Sequence, residues 1–532
     1  MDKRIFLIFI IILSFCVRAL YYYAQPDLST DHLSQMAMAQ NFLDGHGFSF
    51  KFIDVHSQIF YKTHIQWPPL YPLLLSAISL ITANTLIASL IIQIAVLLFL
   101  IIIWKKIFNL LNKFVSEEAY FYFISLLIIS TSILNNINTV LVFALLLLSL
   151  SLFFTFAYMF DYKSKRTNII FSALFASLLF WTHYSYFFVA SFYPAVVLFI
   201  IFLITKDKNH LYAAVQSFII SSVFTSGVLL YNYLTTGYIN YMDNPHIWDA
   251  GFFPEHLLLT DPFFLNAFFK SSYLIDYLFG NYQHIFLALI FQLVSLIIFT
   301  SIVALLMRLK NNKTIEFDKS SQLFIPFIVI IVSTTSFLLY FTLRYHEIPR
   351  PGWTHIGDPR YMSPVYLSII AIFIMLVFVR ADYVNRKFIK AIKSIMIVLI
   401  FSNLGINIYI TAKEWGNYTY KDNNFKNFQG ELQALFDNIK LESSRGKQPV
   451  FIDNELTVRS FRISQYAGAA VINVNKVKEI EQFSSYMVFF FILPEEKYYR
   501  DVDYQLMNWG NRFNLNSCGK VYNNLSLFKI KN

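Results

Sequence analysis

Two stretches that follow the first apolar run decide how this chain folds: STDHLSQMAMAQNFLDGHGFSF at residues 29–50 and WPPLYPLLL at residues 67–75. Thr30 and Asp31 are residue types that cap helix N-termini, and Gly45 is typical of a helix end. Apolar residues between them recur near one face, which predicts a short amphipathic helix lying at a membrane interface. The three prolines of the second stretch must redirect the chain. We therefore expect a folded loop that returns to the membrane.

The composition is that of a membrane protein. Of the 532 residues, 57% are hydrophobic and 14% are charged, and the mean hydropathy is +0.53. Apolar runs of about 20 residues, the length of a membrane-spanning helix, recur as far as residue 411. The predicted spans, about eleven, are residues 5–24, 85–104, 119–133, 139–160, 167–181, 187–205, 211–231, 285–307, 322–343, 362–379 and 391–411. The expected fold class is therefore a membrane all-α protein with amphipathic helices in its outer loops.

A small soluble domain is predicted at residues 412–532, after a membrane domain at residues 1–411. Apolar strings typical of buried strands alternate there with stretches of helical pattern. The strings are PVFID from residue 449, AAVINV from 469, MVFFFILP from 487 and LSLFKI from 525. No glycine-rich phosphate fingerprint follows any of them, so we assign no nucleotide. The pattern predicts an α/β fold for this domain.

The net charge of +10 follows from membrane topology and does not indicate nucleic acid as a partner. Lys and Arg concentrate in short segments, such as residues 105–113 and 163–166, that face the cytoplasm if the N-terminus is inside. The chain is thus predicted to be a multi-pass protein of the cytoplasmic (inner) membrane, with its C-terminal domain outside. Three long loops, residues 25–69, 232–284 and 344–361, then face outward and collect histidines and carboxylates. We therefore expect the chemistry on the outer side.

The motifs in these loops resemble a known family. The first loop matches the pattern D-x-x-x-Y-x-x-x-A-x-N-x-x-x-G-x-G-F-S followed by P-P-L-Y-P. The matching residues are Asp31, Gln35 in place of the tyrosine, Ala39, Asn41, Gly45, Gly47, Phe48, Ser49, Pro68, Pro69, Leu70, Tyr71 and Pro72. FWTHYSYFF from residue 180 and GDPRYMSPVYL from residue 357 resemble two later motifs. The chain is similar to the GT-C superfamily of integral-membrane glycosyltransferases, specifically to the protein O-mannosyltransferases of glycosyltransferase family 39 and to the lipid A aminoarabinose transferase.

The resemblance implies an enzyme that moves a sugar from a polyprenyl-phosphate-linked donor to an acceptor on the outer side of the membrane, with inversion. The acceptor, which could be a glycan, a lipid or a protein, is not identified by the motifs. Asp31 matches the catalytic carboxylate of the family, and a helix N-terminus keeps a carboxylate ionised. Such a group can orient the acceptor hydroxyl or take its proton.

Departure of the lipid phosphate requires positive charge or a metal ion. The outer-loop cations that could bind the donor phosphate are Arg360, Arg350, Arg344 and Lys62. Arg360 is favoured, because it falls on the R-Y-x-x-P motif of the family. The loop histidines fit no recognised metal template, so no metal site and no cofactor are assigned, and a divalent metal stays an alternative source of charge. Candidates for contact with the substrate are His183, Tyr184, Glu347, Asp358, Tyr361 and Tyr71.

Two other functions are compatible with a multi-pass chain. A transporter or flippase of lipid-linked sugars would show internal repeats and polar residues within its spans, which this sequence lacks. A polysaccharide ligase or polymerase would place its largest loop late in the chain, whereas here a long loop follows the first span. Membrane lipids and a lipid-linked sugar are the expected partners.

Overall fold

A computed structural model describes most of the chain. The described residues are 3–24, 30–53, 59–65, 67–130, 139–161, 165–182, 190–239, 252, 267–268, 321–344, 359–378, 386–420, 437, 441–442, 444–445, 448–453, 470–473, 487–494, 515–522 and 525–530. The chain divides into two compact units. The first comprises residues 1–20 and 92–410, and the second comprises residues 21–91 and 411–532.

Helices make up the described part of the first unit, and the chain order of all described helices follows the apolar runs. They are α1 Lys3–Ala24, α2 Thr30–Leu43, α3 Leu70–Thr82, α4 Thr85–Leu110, α5 Glu118–Ile129, α6 Thr139–Phe160, α7 Lys165–Phe180, α8 Tyr193–Thr205, α9 Lys208–Thr236, α10 Ile325–Arg344, α11 Pro359–Phe378 and α12 Arg386–Tyr420. Short 3-10 turns precede α8 at Ala190–Phe192 and α10 at Ser321–Leu323.

Five of the described helices are long and apolar enough to cross a membrane, judged by length and composition. The corresponding segments are Thr85–Leu110, Val142–Phe160, Lys208–Thr236, Tyr361–Phe378 and Ile392–Ala412. Each predicted span coincides with a helix, except residues 285–307, which lie outside the described residues. Within the predicted span at 187–205, helix α8 has a proline in its first turn, where proline is preorganised for a helix start.

Polar side chains buried in the first unit donate hydrogen bonds to the backbone carbonyls at the end of α5. The Arg18 guanidinium donates to the carbonyls of Ile128 at 3.1 Å and Ser130 at 3.3 Å. The Asn407 amide donates to the carbonyl of Ile129 at 2.6 Å. The last carbonyls of a helix have no partner within the helix and carry partial negative charge, so a cation and an amide are favourable there. Arg18, an ionisable residue in a predicted span, thus has a structural role within the first unit.

A seven-stranded sheet organises the second unit. Its strands are β1 Ser49–Ile53, β2 Ile59–Thr63, β3 Gln448–Asp453, β4 Ala470–Asn473, β5 Met487–Pro494, β6 Leu515–Tyr522 and β7 Leu525–Ile530. Their spatial order is β2-β1-β4-β3-β5-β7-β6. Strands β1, β4, β3 and β5 run parallel to their neighbours in that series, whereas β2, β7 and β6 pair antiparallel.

The hairpin of the first loop extends the sheet of the tail. Phe52 of β1 pairs in parallel with Val471 of β4. The sequence placed the two segments in different domains, and nothing in either strand pattern indicated that they pair. The apolar strings quoted for the tail coincide with β3, β4, β5 and β7. Strand β6 was not predicted, since its sequence LNSCGKVY has no apolar run.

Candidate functional site

The candidate site is built on α2. Asp31 is the second residue of this helix, so the structure places it in the first helical turn, next to the N-cap position that the sequence predicted. The first backbone N–H groups of a helix have no partner within the helix and favour a carboxylate nearby. The side chain of Asp31 lies outside the described part of the structure, so the position rests on the backbone.

Helix α2 is buried on every face over residues 32–39, which corrects the prediction of an amphipathic interfacial helix. Residues 32–39 are consecutive and all buried, so they cover more than two helical turns. The Ser76 hydroxyl of α3 donates to the carbonyl of Ala39 at 3.1 Å. Met38 packs in a cluster with Phe50 of β1 and Trp67. The sequence showed the apolar face of α2, but protein also covers the polar face.

The motif residues after α2 form a tight turn into β1. Gly45 and Gly47 have φ of 84° and 68°, values that disfavour any residue with a Cβ. The Asn41 amide donates to the carbonyl of Ser49 at 2.7 Å, and the backbone N–H of His46 donates to the carbonyl of Asn41 at 2.8 Å. The amide of Asn41 thus joins the end of the helix to the start of the strand. This geometry explains the N-x-x-x-G-x-G-F-S spacing physically.

The two loop motifs meet at a pair of buried rings. Tyr71, from the PPLYP stretch, and His32, next to Asp31, are both fully buried. The Tyr71 hydroxyl lies 3.4 Å from Nε2 of His32, and the ring centroids are 5.9 Å apart. Tyr71 was predicted to contact the substrate, and that role stays a prediction. His32 was not among the predicted site residues, because a histidine beside a helix cap carries no sequence signal of burial.

Gln35 is the second residue that the sequence did not single out for a role. Its side chain is 1% exposed, and neither Nε2 nor Oε1 has a hydrogen-bond partner within the described part of the chain. It stands four residues after Asp31, one turn along the same face of α2. The sequence feature that could have pointed to Gln35 is its position in the motif, where the family pattern has tyrosine.

The β1–β2 hairpin carries two lysines and lies within electrostatic reach of Asp44. Burial lowers the pKa of Lys51, and the Asp44 carboxylate partly offsets this effect. The pKa of Tyr61 is raised, first by burial and then by Asp44. The His46 ring stacks on Tyr61, with centroids 3.5 Å apart and ring planes 10° apart. Lys62, a predicted phosphate ligand, lies exposed on β2.

The remaining predicted site residues fall on other elements or outside the described residues. Arg344 is the last residue of α10, and Arg360 is the second residue of α11. The structure describes the backbone of both arginines but not their side chains, and the side chain of Tyr361 is partly buried. The predictions for His183, Tyr184, Glu347, Arg350 and Asp358 lie outside the described residues. Within the described segments, no three His, Cys, Asp or Glu side chains gather in a manner that could hold a metal ion.

Comparison with known proteins gives the fold. No protein-family model and no curated protein matches this sequence. Two crystal structures of ArnT from Cupriavidus metallidurans match along nearly the whole length. The structure bound to undecaprenyl phosphate aligns with a TM-score of 0.55 and 9% identity, and the apo structure with 0.56 and 10%. Each alignment covers 99% of this chain and 98% of the ArnT chain. The fold is that of ArnT.

The match to ArnT agrees in fold with the likeness to the aminoarabinose transferase seen in the loop motifs. The identity is too low for the likeness to carry more than the fold. The match to ArnT does not test the predicted likeness to the mannosyltransferases of family 39. The chain is a mostly helical, multi-pass membrane protein with the ArnT fold.

Proposed function

We propose that this protein is a glycosyltransferase that moves a sugar from a polyprenyl-phosphate-linked donor to an acceptor outside the cytoplasmic membrane. The observation that carries the proposal is the ArnT fold over 99% of the chain, since one of the matching ArnT structures holds undecaprenyl phosphate. The position of Asp31 in the first turn of α2 supports it, because the family motif places the catalytic carboxylate there.

Asp31 acts on the acceptor in this proposal. Its carboxylate takes the proton of the acceptor hydroxyl while the hydroxyl oxygen bonds to the anomeric carbon. The bond between that carbon and the phosphate oxygen breaks, and polyprenyl phosphate leaves with the electron pair. Attack from the side opposite the leaving group inverts the anomeric centre. A helix N-terminus favours the ionised carboxylate that this step needs.

The leaving phosphate requires compensating positive charge. Arg360 is the first candidate, because it stands in the R-Y-x-x-P motif at the start of α11. An arginine can hold two phosphate oxygens at once through its planar guanidinium. Arg344, Arg350 and Lys62 are the further candidates.

The proposal extends to the topology. In this proposal the N-terminus lies in the cytoplasm, where the Lys and Arg of the short loops also lie, and about eleven spans of the inner membrane then lead to a C-terminal domain outside. Labelling of a single cysteine introduced at the exposed residue Asp44 tests this orientation. Both native cysteines, Cys16 and Cys518, are replaced first, and a membrane-impermeant thiol reagent is applied to the outer side of intact cells. Labelling from the cytoplasmic side alone would contradict it.

The experiment that tests the activity compares the purified full chain with two variants. Each protein is incubated with a panel of radiolabelled polyprenyl-phosphate sugars, and sugar release and transfer are measured. Asp31→Asn removes the base and is expected to lower the rate by about 10²–10⁴-fold. Asp44→Asn is the matched control, since Asp44 lies exposed after the other end of α2, where it accepts a hydrogen bond from Gln40 at 3.2 Å.

The outcomes separate the proposal from its competitors. Rates that are equal in wild type and Asp31→Asn would remove the role assigned to Asp31. Movement of the labelled lipid across proteoliposomes, with no cleavage of the sugar–phosphate bond, would indicate a flippase. Products that grow by repeated addition would indicate a polymerase.

A further inference from the structure

Gln35 carries a buried amide whose hydrogen bonds none of the described residues makes. Its side chain is 1% exposed, and both Nε2 and Oε1 lack a hydrogen bond within the described residues. A buried polar group without a hydrogen bond is costly to the folded state, and such groups are rare. The amide therefore needs a partner that the described residues do not supply.

Another amide on the same helix shows the contrast. Asn41 is also buried, at 3% exposed, and its Nδ2 donates to the carbonyl of Ser49 at 2.7 Å. The neighbouring His32 has the Tyr71 hydroxyl at 3.4 Å. Buried polar side chains of α2 on either side of Gln35 thus have partners, whereas both polar atoms of Gln35 are unpaired in the part of the chain that the structure describes.

The chemistry of the side chain defines the missing partner. A carboxamide is neutral, donates from its NH₂ group and accepts at its oxygen. A hydroxyl group also donates and accepts, so it can satisfy either atom, and the vicinal hydroxyls of a sugar can satisfy both. An ionised phosphate cannot hydrogen-bond to the amide oxygen, because its oxygens accept hydrogen bonds and donate none.

The position of Gln35 connects it to the reaction. Asp31 and Gln35 are separated by four residues on α2, which brings them to the same face one turn apart. A rise of about 1.5 Å per residue separates their Cα atoms by roughly 6 Å along the helix axis. That distance is close to the width of one sugar ring.

We propose that the Gln35 carboxamide binds a hydroxyl group of the carbohydrate substrate and contributes to sugar selection. This inference rests on the proposed glycosyl transfer and goes beyond it, because it names a residue and a chemical group that determine which sugar is accepted. A site that must hydrogen-bond a substrate hydroxyl discriminates strongly against analogues that lack it, since the buried amide is then left unpaired.

The first test measures stability without ligand. Gln35→Met keeps the length of the side chain and removes both polar atoms, so the purified variant is expected to unfold at the same temperature as wild type or higher. Asn41→Leu is the matched control and is expected to unfold at a lower temperature, because it breaks an existing hydrogen bond. A fall in the Gln35→Met variant as large as in Asn41→Leu would overturn the inference, since the amide would then serve the fold, directly or through a resident water.

The second test measures binding of defined probes. They are undecaprenyl phosphate, its mannosyl, glucosyl and galactosyl derivatives, and the free methyl glycosides of the same three sugars. Gln35→Met is expected to bind undecaprenyl phosphate as wild type does and to bind one sugar-bearing probe about tenfold more weakly, the loss for one hydrogen bond. Loss with a glycolipid places the hydroxyl on the donor, and loss with a methyl glycoside places it on the acceptor.

Equal affinity of wild type and Gln35→Met for every probe would overturn the inference. Its failure can be told apart from failure of the proposed function. If Asp31→Asn abolishes transfer and Gln35→Met behaves as wild type, the function stands and the inference falls. If no protein transfers sugar but Gln35→Met still loses affinity for one sugar probe, the carbohydrate site stands and the proposed reaction falls.

Discussion

Replacing Phe50 by alanine tests whether the first loop is held by its own hydrophobic core. Phe50 lies in β1 and is 2% exposed. It packs against Ala37, Met38 and Trp67, and its ring lies 4.2 Å from that of His64, measured between centroids. Truncation of a buried phenylalanine removes these contacts and leaves a cavity, which costs about 3–5 kcal/mol.

The expected shift follows from the size of the second unit. This unit comprises residues 21–91 and 411–532, so it has about 190 residues, and at this size 1 kcal/mol corresponds to a change in Tm of roughly 2–4 °C. Phe50→Ala is therefore expected to lower the Tm of that unit by about 6–20 °C. The assay is thermal unfolding of the purified protein, with limited proteolysis to identify the unit that opens.

Phe60→Ala provides the control on the neighbouring strand. Phe60 pairs with Phe52 across the hairpin and is 44% exposed, so truncation is expected to cost less than about 1 kcal/mol. A shift for Phe50→Ala no larger than that for Phe60→Ala would refute the reasoning. The packing of α2 on β1 would then contribute little to the stability of the loop.

The further predictions concern the same loop. Gly47 has φ of 68°, and no atom lies within 4 Å of a Cβ added there. Gly47→Ala is therefore expected to lower the free energy of unfolding by about 1 kcal/mol through backbone strain alone. A variant that unfolds at a higher temperature than wild type would contradict this. The pKa of Lys51 is lowered from 10.5 by burial, so acetylation followed by mass spectrometry across pH is expected to give a midpoint below 10.5. Asp44→Asn is expected to lower that midpoint further, because the Asp44 carboxylate raises the pKa; an upward shift would exclude this interaction. In the wild-type protein, folding lowers the pKa of Lys51, so the unfolded chain keeps the Lys51 proton to higher pH than the folded chain. The free energy of unfolding is therefore expected to rise with pH between the lowered pKa and 10.5.

The sequence predicted those features of the candidate site that depend on neighbouring residues alone. Asp31 at the start of a helix and the glycines at its end follow from capping preferences and from the φ values that glycine tolerates. The roles of His32 and Gln35 depend on burial. Burial of a polar helix face is decided by elements elsewhere in the chain, here α3 and β1, so the sequence of α2 predicted an exposed polar face that the structure does not have.

The sequence by itself determined the helices of this protein. An apolar run of about 20 residues in a membrane must satisfy its backbone hydrogen bonds within the segment, and a helix does so without reference to the rest of the chain. The tertiary structure decided the sheet of the second unit. Phe52 pairs with Val471, about 420 residues later. A strand takes its hydrogen-bond partners from another segment, so its own residues do not specify which strand lies beside it.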